Sequence, residues 1–205
     1  MRSGARSCGP RLPRQVKTTS SIAIAFLAFT AYAAVPRSAA SDYPAHGETK
    51  TAAIGAEFLV HSVPTEQNML DADQYLVVEV GVFPKNKQDV ALALINFHLR
   101  INGKDAVEAD APGIVAGTMK SWNWQGPPPQ SPLPRSAPSD NSAVTGGMQL
   151  TLDQLVAGAS LPEATVNKPV GGCMYFPWEG KIKKIHTLEL IWEAPNSEPV
   201  TLKLR

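Results

Sequence analysis

The chain has 205 residues, 43% of them hydrophobic, 18% charged and 7% aromatic, with 18 Pro and a formal charge of +1. So many prolines exclude a long helical bundle, and near neutrality excludes a basic nucleic-acid binder. What is left is ordinary globular composition, enough for one domain with additional segments.

Residues 1–40 differ in kind from the rest. All six charged side chains there are basic (Arg2, Arg6, Arg11, Arg14, Lys17 and Arg37), and five of them precede the apolar run 22–35. A basic start, an apolar stretch and small residues at its end make a secretory signal peptide. Ala31-Tyr32-Ala33 and Ser38-Ala39-Ala40 both have the small-x-small pattern, so cleavage is expected after Ala33 or after Ala40. About 14 apolar residues fall short of the roughly 20 needed to span a bilayer, and no stable membrane span is expected once the leader is gone. Cys8 lies before the apolar run rather than directly after it, which argues against acylation as a lipoprotein. The expected location is periplasmic or secreted.

Six of the 19 basic side chains and none of the 18 acidic ones lie in the leader, so its removal leaves 13 against 18 and a charge of −5. A mildly acidic exported domain has no general affinity for phosphate backbones, so no nucleic-acid partner is expected. Cys173 is then the one remaining cysteine. An intramolecular disulfide is impossible, and the core alone must hold the fold.

Residues 41–52 read as a linker and 53–205 as the domain. The stretch 54–63 has the pattern of an irregular strand. Asp71 and Asp73 form an Asp-x-Asp, but Tyr75 stands where a calcium loop needs another oxygen donor and the loop glycine is missing; a solvated turn is the better account. In 74–83 the residues Leu76, Val78, Val80 and Val82 share one face, which is the strand period of two. Pro84 ends that strand and 85–89 is a polar turn. Alternation resumes over 90–102, and Asn102-Gly103 closes it with a hairpin signal. These two segments are expected to be neighbouring antiparallel strands.

Trp122 and Trp124 form the candidate ligand-binding pair. On extended backbone, positions i and i+2 face the same way, and two exposed indoles would make a stacking platform for a sugar ring or a proline-rich peptide. Buried under the loop that follows, they are core residues instead. That loop, 126–140, has six prolines and one large aliphatic side chain, and reads as a flexible Pro-rich insertion. Thr151 and Gln154 make a capping box ahead of Leu152, Leu155, Val156 and Ala159 at helical spacing, which predicts one short helix over 151–159 closing an end of the domain.

Three more strands complete the chain. They cover 172–176, then 185–193 after the turn 177–180, and 200–205 after another turn. Cys173 suits a buried thiol acting as a small hydrophobe, with an intermolecular disulfide as the alternative. Trp178 in its turn has the same ambiguity as Trp122, and Trp192 reads as core. Lys181, Lys183 and Lys184 fit the protection of an edge strand. Short strands without a βαβ rhythm predict an all-β antiparallel sandwich of Greek-key type.

The run Tyr75-Leu-Val-Val-Glu-Val-Gly-Val-Phe83, with Ile95-Asn-Phe-His-Leu-Arg-Ile-Asn-Gly103 after it, resembles the paired strands of exported bacterial immunoglobulin-like domains of unknown function. Gly172-Cys-Met-Tyr-Phe-Pro177 and the closing strands 188–204 are similar to later elements of such domains. The resemblance covers roughly 54–204 apart from the insertion, and implies an immunoglobulin-like β-sandwich without a catalytic motif.

The chain contains no Gly-rich phosphate loop, no His-Glu-x-x-His, no Gly-x-Ser-x-Gly and no Cys-x-x-Cys. His46, His61, His98 and His186 lack ligand spacing and read as surface histidines. No catalytic residue, metal site or cofactor is expected. The expectation is a non-enzymatic binding or interaction module whose partner is another protein or an envelope component. The alternatives are a carbohydrate-contacting module using Trp122 and Trp124, and a hydrolase whose site is assembled from distant residues.

Overall fold

The computed structural model describes residues 35–65, 69–104, 106–121, 150–193 and 197–205. In chain order the first strands are β1 (Ala45–Glu48), β2 (Ala52–Val60), β3 (Ser62–Pro64), β4 (Met69–Asp71), β5 (Tyr75–Pro84), β6 (Val90–Ala91), β7 (Phe97–Ile101) and β8 (Ala106–Glu108). The helices α1 (Pro112–Ser121) and α2 (Leu152–Ala159) follow, and then β9 (Thr165–Val166), β10 (Val170–Pro177), β11 (Leu188–Trp192) and β12 (Val200–Lys203).

The described residues are mostly β. One four-stranded sheet runs β1-β2-β5-β10 and another runs β12-β11-β7-β8, every neighbouring pair antiparallel. Period-two burial is what brings the sheets together. Leu76, Val78, Val80 and Val82 of β5, with Met174 and Phe176 of β10, share one core with Phe97, Leu99, Leu188, Leu190 and Trp192 of the second sheet. Each large apolar side chain buried this way contributes about 1.5–3 kcal/mol. Phe97 and Trp192 are direct cross-strand partners, and their rings stack with centroids 5.8 Å apart.

The expected pairing of 74–83 with 90–102 is not formed, because β5 and β7 belong to different sheets. After β5 the chain turns through Lys85–Lys87, where Asn86 and Lys87 take φ of 52° and 56°, and passes from the first sheet to the second. The segment 90–102 is accordingly not one strand: β6 pairs with β9 in a separate small sheet, and Leu94–Asn96 forms a 3-10 turn that leaves Ile95 68% exposed. The alternation in sequence runs on through a stretch whose backbone does not. The hairpin at Asn102-Gly103 does form, between β7 and β8, with φ of 53° and 68° at the two residues.

The predicted helix is α2. Its capping box is complete: the Gln154 amide donates to Thr151 Oγ1 at 3.3 Å, and the Thr151 amide donates to Gln154 Oε1 at 2.8 Å. It does not close an end of the domain but lies on the outer face of the first sheet, beside a second helix that the sequence reading missed. That helix, α1, begins with Pro112, whose absent N–H is no loss in a first turn. Gly113 and Gly117 lower its intrinsic propensity and mask it. Val115, Ala116, Leu155, Val156 and Ala159 of the pair bury Val77, Cys173 and Tyr175 of the sheet.

The segment 41–52, expected to be a linker, contains β1, and Tyr43 just ahead of that strand is 2% exposed. The Pro-rich loop 126–140 lies outside the described residues.

Candidate functional site

Two places on the outer face of the first sheet combine polar chemistry with shape. One is a cleft of about 490 Å³ where the β3–β4 hairpin and the turn into β5 meet the helix pair. Asp71 and Asp73 line it together with Met69, Tyr75, Thr118 and Met119. The Tyr75 hydroxyl donates to Asp110 Oδ2 at 3.2 Å and lies 3.3 Å from Thr118 Oγ1. Burial raises the Tyr75 pKa, and the Asp110 carboxylate adds to the rise while Thr118 opposes it. His61 Nδ1 is 2.6 Å from the Tyr75 carbonyl oxygen; since a carbonyl only accepts, that nitrogen carries the proton. The Asp71 carboxyl is held above the usual range first by desolvation and then by the charge and hydrogen bond of Asp73, with His61 pulling the other way. The cleft therefore joins an acidic rim, a phenol and two thioether side chains, of which Met69 is 66% exposed.

The other place is a row of glycines. Gly55, Gly81 and Gly171 are register neighbours across β2, β5 and β10. The Tyr43 ring lies on Gly55 and Gly81, where a Cβ would collide with it, and a Cβ on Gly171 would come within 3.0 Å of Pro36 Cα. Glycine is needed here because another segment approaches the backbone closely. Two residues along each strand, Glu57 and Glu79 stand opposite each other, with Cys173 opposite Glu79. Arg37 bridges the two like charges, bonded to Glu57 and 3.3 Å from Glu79. Its guanidinium also lies 4.5 Å from the centre of the Tyr43 ring. Burial opposes the charge on Arg37, but the hydrogen bond to Glu57 and the fields of both carboxylates outweigh it, and its pKa is raised.

Burial pushes the Cys173 thiol up to about 12, with Glu79 adding to the effect, so the side chain behaves as the small hydrophobe expected of it. Burial raises the Tyr175 phenol likewise.

The sequence-predicted pair Trp122 and Trp124 lies outside the described residues. Trp178 is half-buried against the core, and Trp192 is fully buried as expected. Lys181, Lys183 and Lys184 are exposed. His46 and His186 are exposed and His98 is half-buried, and among the described residues no group of three or more His, Cys, Asp or Glu could hold a metal ion. No helix among the described residues is long and apolar enough to cross a membrane. Arg37 and Tyr43 were missed as structural groups because they sit in the stretches read as leader and linker. Glycines inside otherwise apolar strands were the one available signal.

No family model matches the chain, and no curated protein does. A crystal structure from Bacillus subtilis subsp. subtilis str. 168, described as a "putative lipoprotein (ycdA)", is similar at 14% identity and a TM-score of 0.35. The match covers 77% of this chain and 38% of that one, so the chain spans well under half of that protein. The class of this molecule rests on its own strand pairing: a β-rich domain of antiparallel sheets carrying two short helices.

Proposed function

We propose that the protein is an exported, non-enzymatic binding module of the cell envelope, periplasmic or secreted, that holds a segment of a partner protein or envelope component in the cleft beside the helix pair. The leader sequence and the acidic charge that follows its removal support export. The observation that carries binding is the cleft itself, where the thioethers of Met69 and Met119 stand beside the carboxylates of Asp71 and Asp73. Adaptable apolar groups next to acidic ones suit a partner segment that alternates apolar and basic side chains.

We further propose that the fold is an immunoglobulin-like sandwich. In such domains strands A, B and E neighbour one another in one sheet, and C, F and G in the other. With β1 as an added edge strand, the order β2-β5-β10 matches A-B-E and the order β8-β7-β11-β12 matches C′-C-F-G, with α1 and α2 in the stretch of chain where strand D would come. The sheets would then serve as a scaffold and the helix layer would carry the site.

A second reading, carbohydrate contact through Trp122 and Trp124, is favoured by position in the chain. The last turn of α1 lines the cleft through Thr118 and Met119, and Trp122 follows Ser121 directly. Crosslinking of the leader-free domain in native envelope extract tests both. A partner captured by the native chain and lost in an Asp71→Asn/Asp73→Asn variant is the expected result, and equal capture by both overturns the cleft as the site. Glycan binding that disappears only in a Trp122→Ala/Trp124→Ala variant would favour the second reading.

A further inference from the structure

We infer that the leader is removed after Ala33 and not after Ala40, so that the mature chain begins at Ala34 and residues 36–43 form a permanent strap across the first sheet. The inference rests on the export reading and selects between the two small-x-small sites. Cleavage after Ala40 would discard Pro36, Arg37 and Ala39. Pro36 covers Gly171. Arg37 is the cation between Glu57 and Glu79, which would otherwise face each other as like charges on adjacent strands. Its backbone amide donates to the Tyr43 hydroxyl at 3.3 Å, and its side chain donates to the Asp42 carbonyl at 2.8 Å. The Ala39 amide donates to Asp42 Oδ2 at 2.9 Å, in the turn that sets Tyr43 over the glycine row.

Cleavage after Ala33 removes none of these contacts. Only Ala34 and Val35 would precede the strap, and among the described residues Val35 is 90% exposed while Pro36 is the first to lie against the sheet. The peptidase meets the polypeptide before it folds, and both sites are then open to it. The two products differ in that only the longer one carries the cation and the apolar cover for which the outer face is built. It also keeps Arg37, so its charge is −4 in place of −5.

Intact-mass measurement and N-terminal sequencing of the chain, exported with its own leader, decide the matter. A mature form beginning at Ala34 is the expected result. A form beginning at Ser41 overturns this inference and leaves export standing, whereas recovery only of the form that retains Met1 overturns the export reading as well. The strap is tested separately by comparing purified chains that start at Ala34 and at Ser41: the shorter should melt lower by about 3 °C, on the scale of about 1 kcal/mol in a domain of this size. Identical melting temperatures would show that residues 34–40 add nothing to the fold and would remove the reason for preferring Ala33.

Discussion

The two faces of β5 are buried in different ways. Its inner face is Leu76, Val78, Val80 and Val82, four apolar side chains that fill the space between the sheets. Its outer face is Val77, Glu79 and Gly81, and each of these suits what covers it: the helix pair, Arg37 and Tyr43. The inner face thus supplies its own packing volume, and any sheet of similar composition could oppose it. The outer face depends on particular partners from distant parts of the chain. Substitutions inside should therefore act through lost volume, and substitutions outside through lost fit.

The largest effect is expected at the inner core. Trp192→Ala should lower unfolding free energy by about 3–5 kcal/mol in urea denaturation, since the indole is fully buried and stacked on Phe97. Trp192→Phe should lose clearly less. It keeps a ring against Phe97 and removes an indole N–H that has no hydrogen-bond partner among the described residues. Equal losses for the two variants would mean that volume does not govern this face.

Gly81→Ala comes next, at about 1–3 kcal/mol, because the added methyl meets the Tyr43 ring. In a Tyr43→Ala background the same change should cost under about 0.5 kcal/mol, and a double-mutant cycle reads the coupling directly. A penalty that stays the same in both backgrounds would break the view of the outer face as fitted to its strap.

On the helix layer, Thr151→Ala should destabilise by about 1 kcal/mol, because the α2 capping box loses its side-chain acceptor. Circular dichroism during thermal unfolding would register it as a lowered midpoint, and an unchanged midpoint would show that the tertiary contacts of α2 suffice without its cap.

The smallest effect concerns pH at the cleft. The folded Asp71 carboxyl has a raised pKa, so the folded state holds its proton more tightly than the unfolded chain does. Stability from this group is present at low pH and is lost as pH rises from the ordinary carboxylate range through the folded pKa. Asp71→Asn should accordingly melt slightly higher than the native chain at pH 7, and the difference should shrink at pH 3. An advantage as large at pH 3 as at pH 7 would place its origin outside this titration.

Much of the secondary structure was legible. β5 follows from its alternation and from Pro84 at its end, α2 from a capping box ahead of a helical repeat, and the β7–β8 turn from Asn102-Gly103 with both residues at positive φ. The cleft was legible only as the pair Asp71 and Asp73, read as a solvated turn. That Tyr75, Thr118 and Met119 would join them depends on α1, which two glycines concealed.

Periodicity, caps and turn residues act over a few neighbouring positions, so the sequence by itself determined the strand character of β2, β5, β7, β10, β11 and β12, where α2 starts and which face of β5 is apolar, while the short strands β1, β4, β8 and β9 left no such signal. It could not say into which sheet a strand goes, and the adjacent β5 and β7 went to different ones. Nor could it say what would lie on the outer face. Gly55, Gly81 and Gly171 become one surface only through pairing across three strands, and Arg37 and Tyr43 find that surface only in the folded chain. Those choices are made by contacts between residues far apart in the chain, whose closure entropy and steric fit no local pattern records.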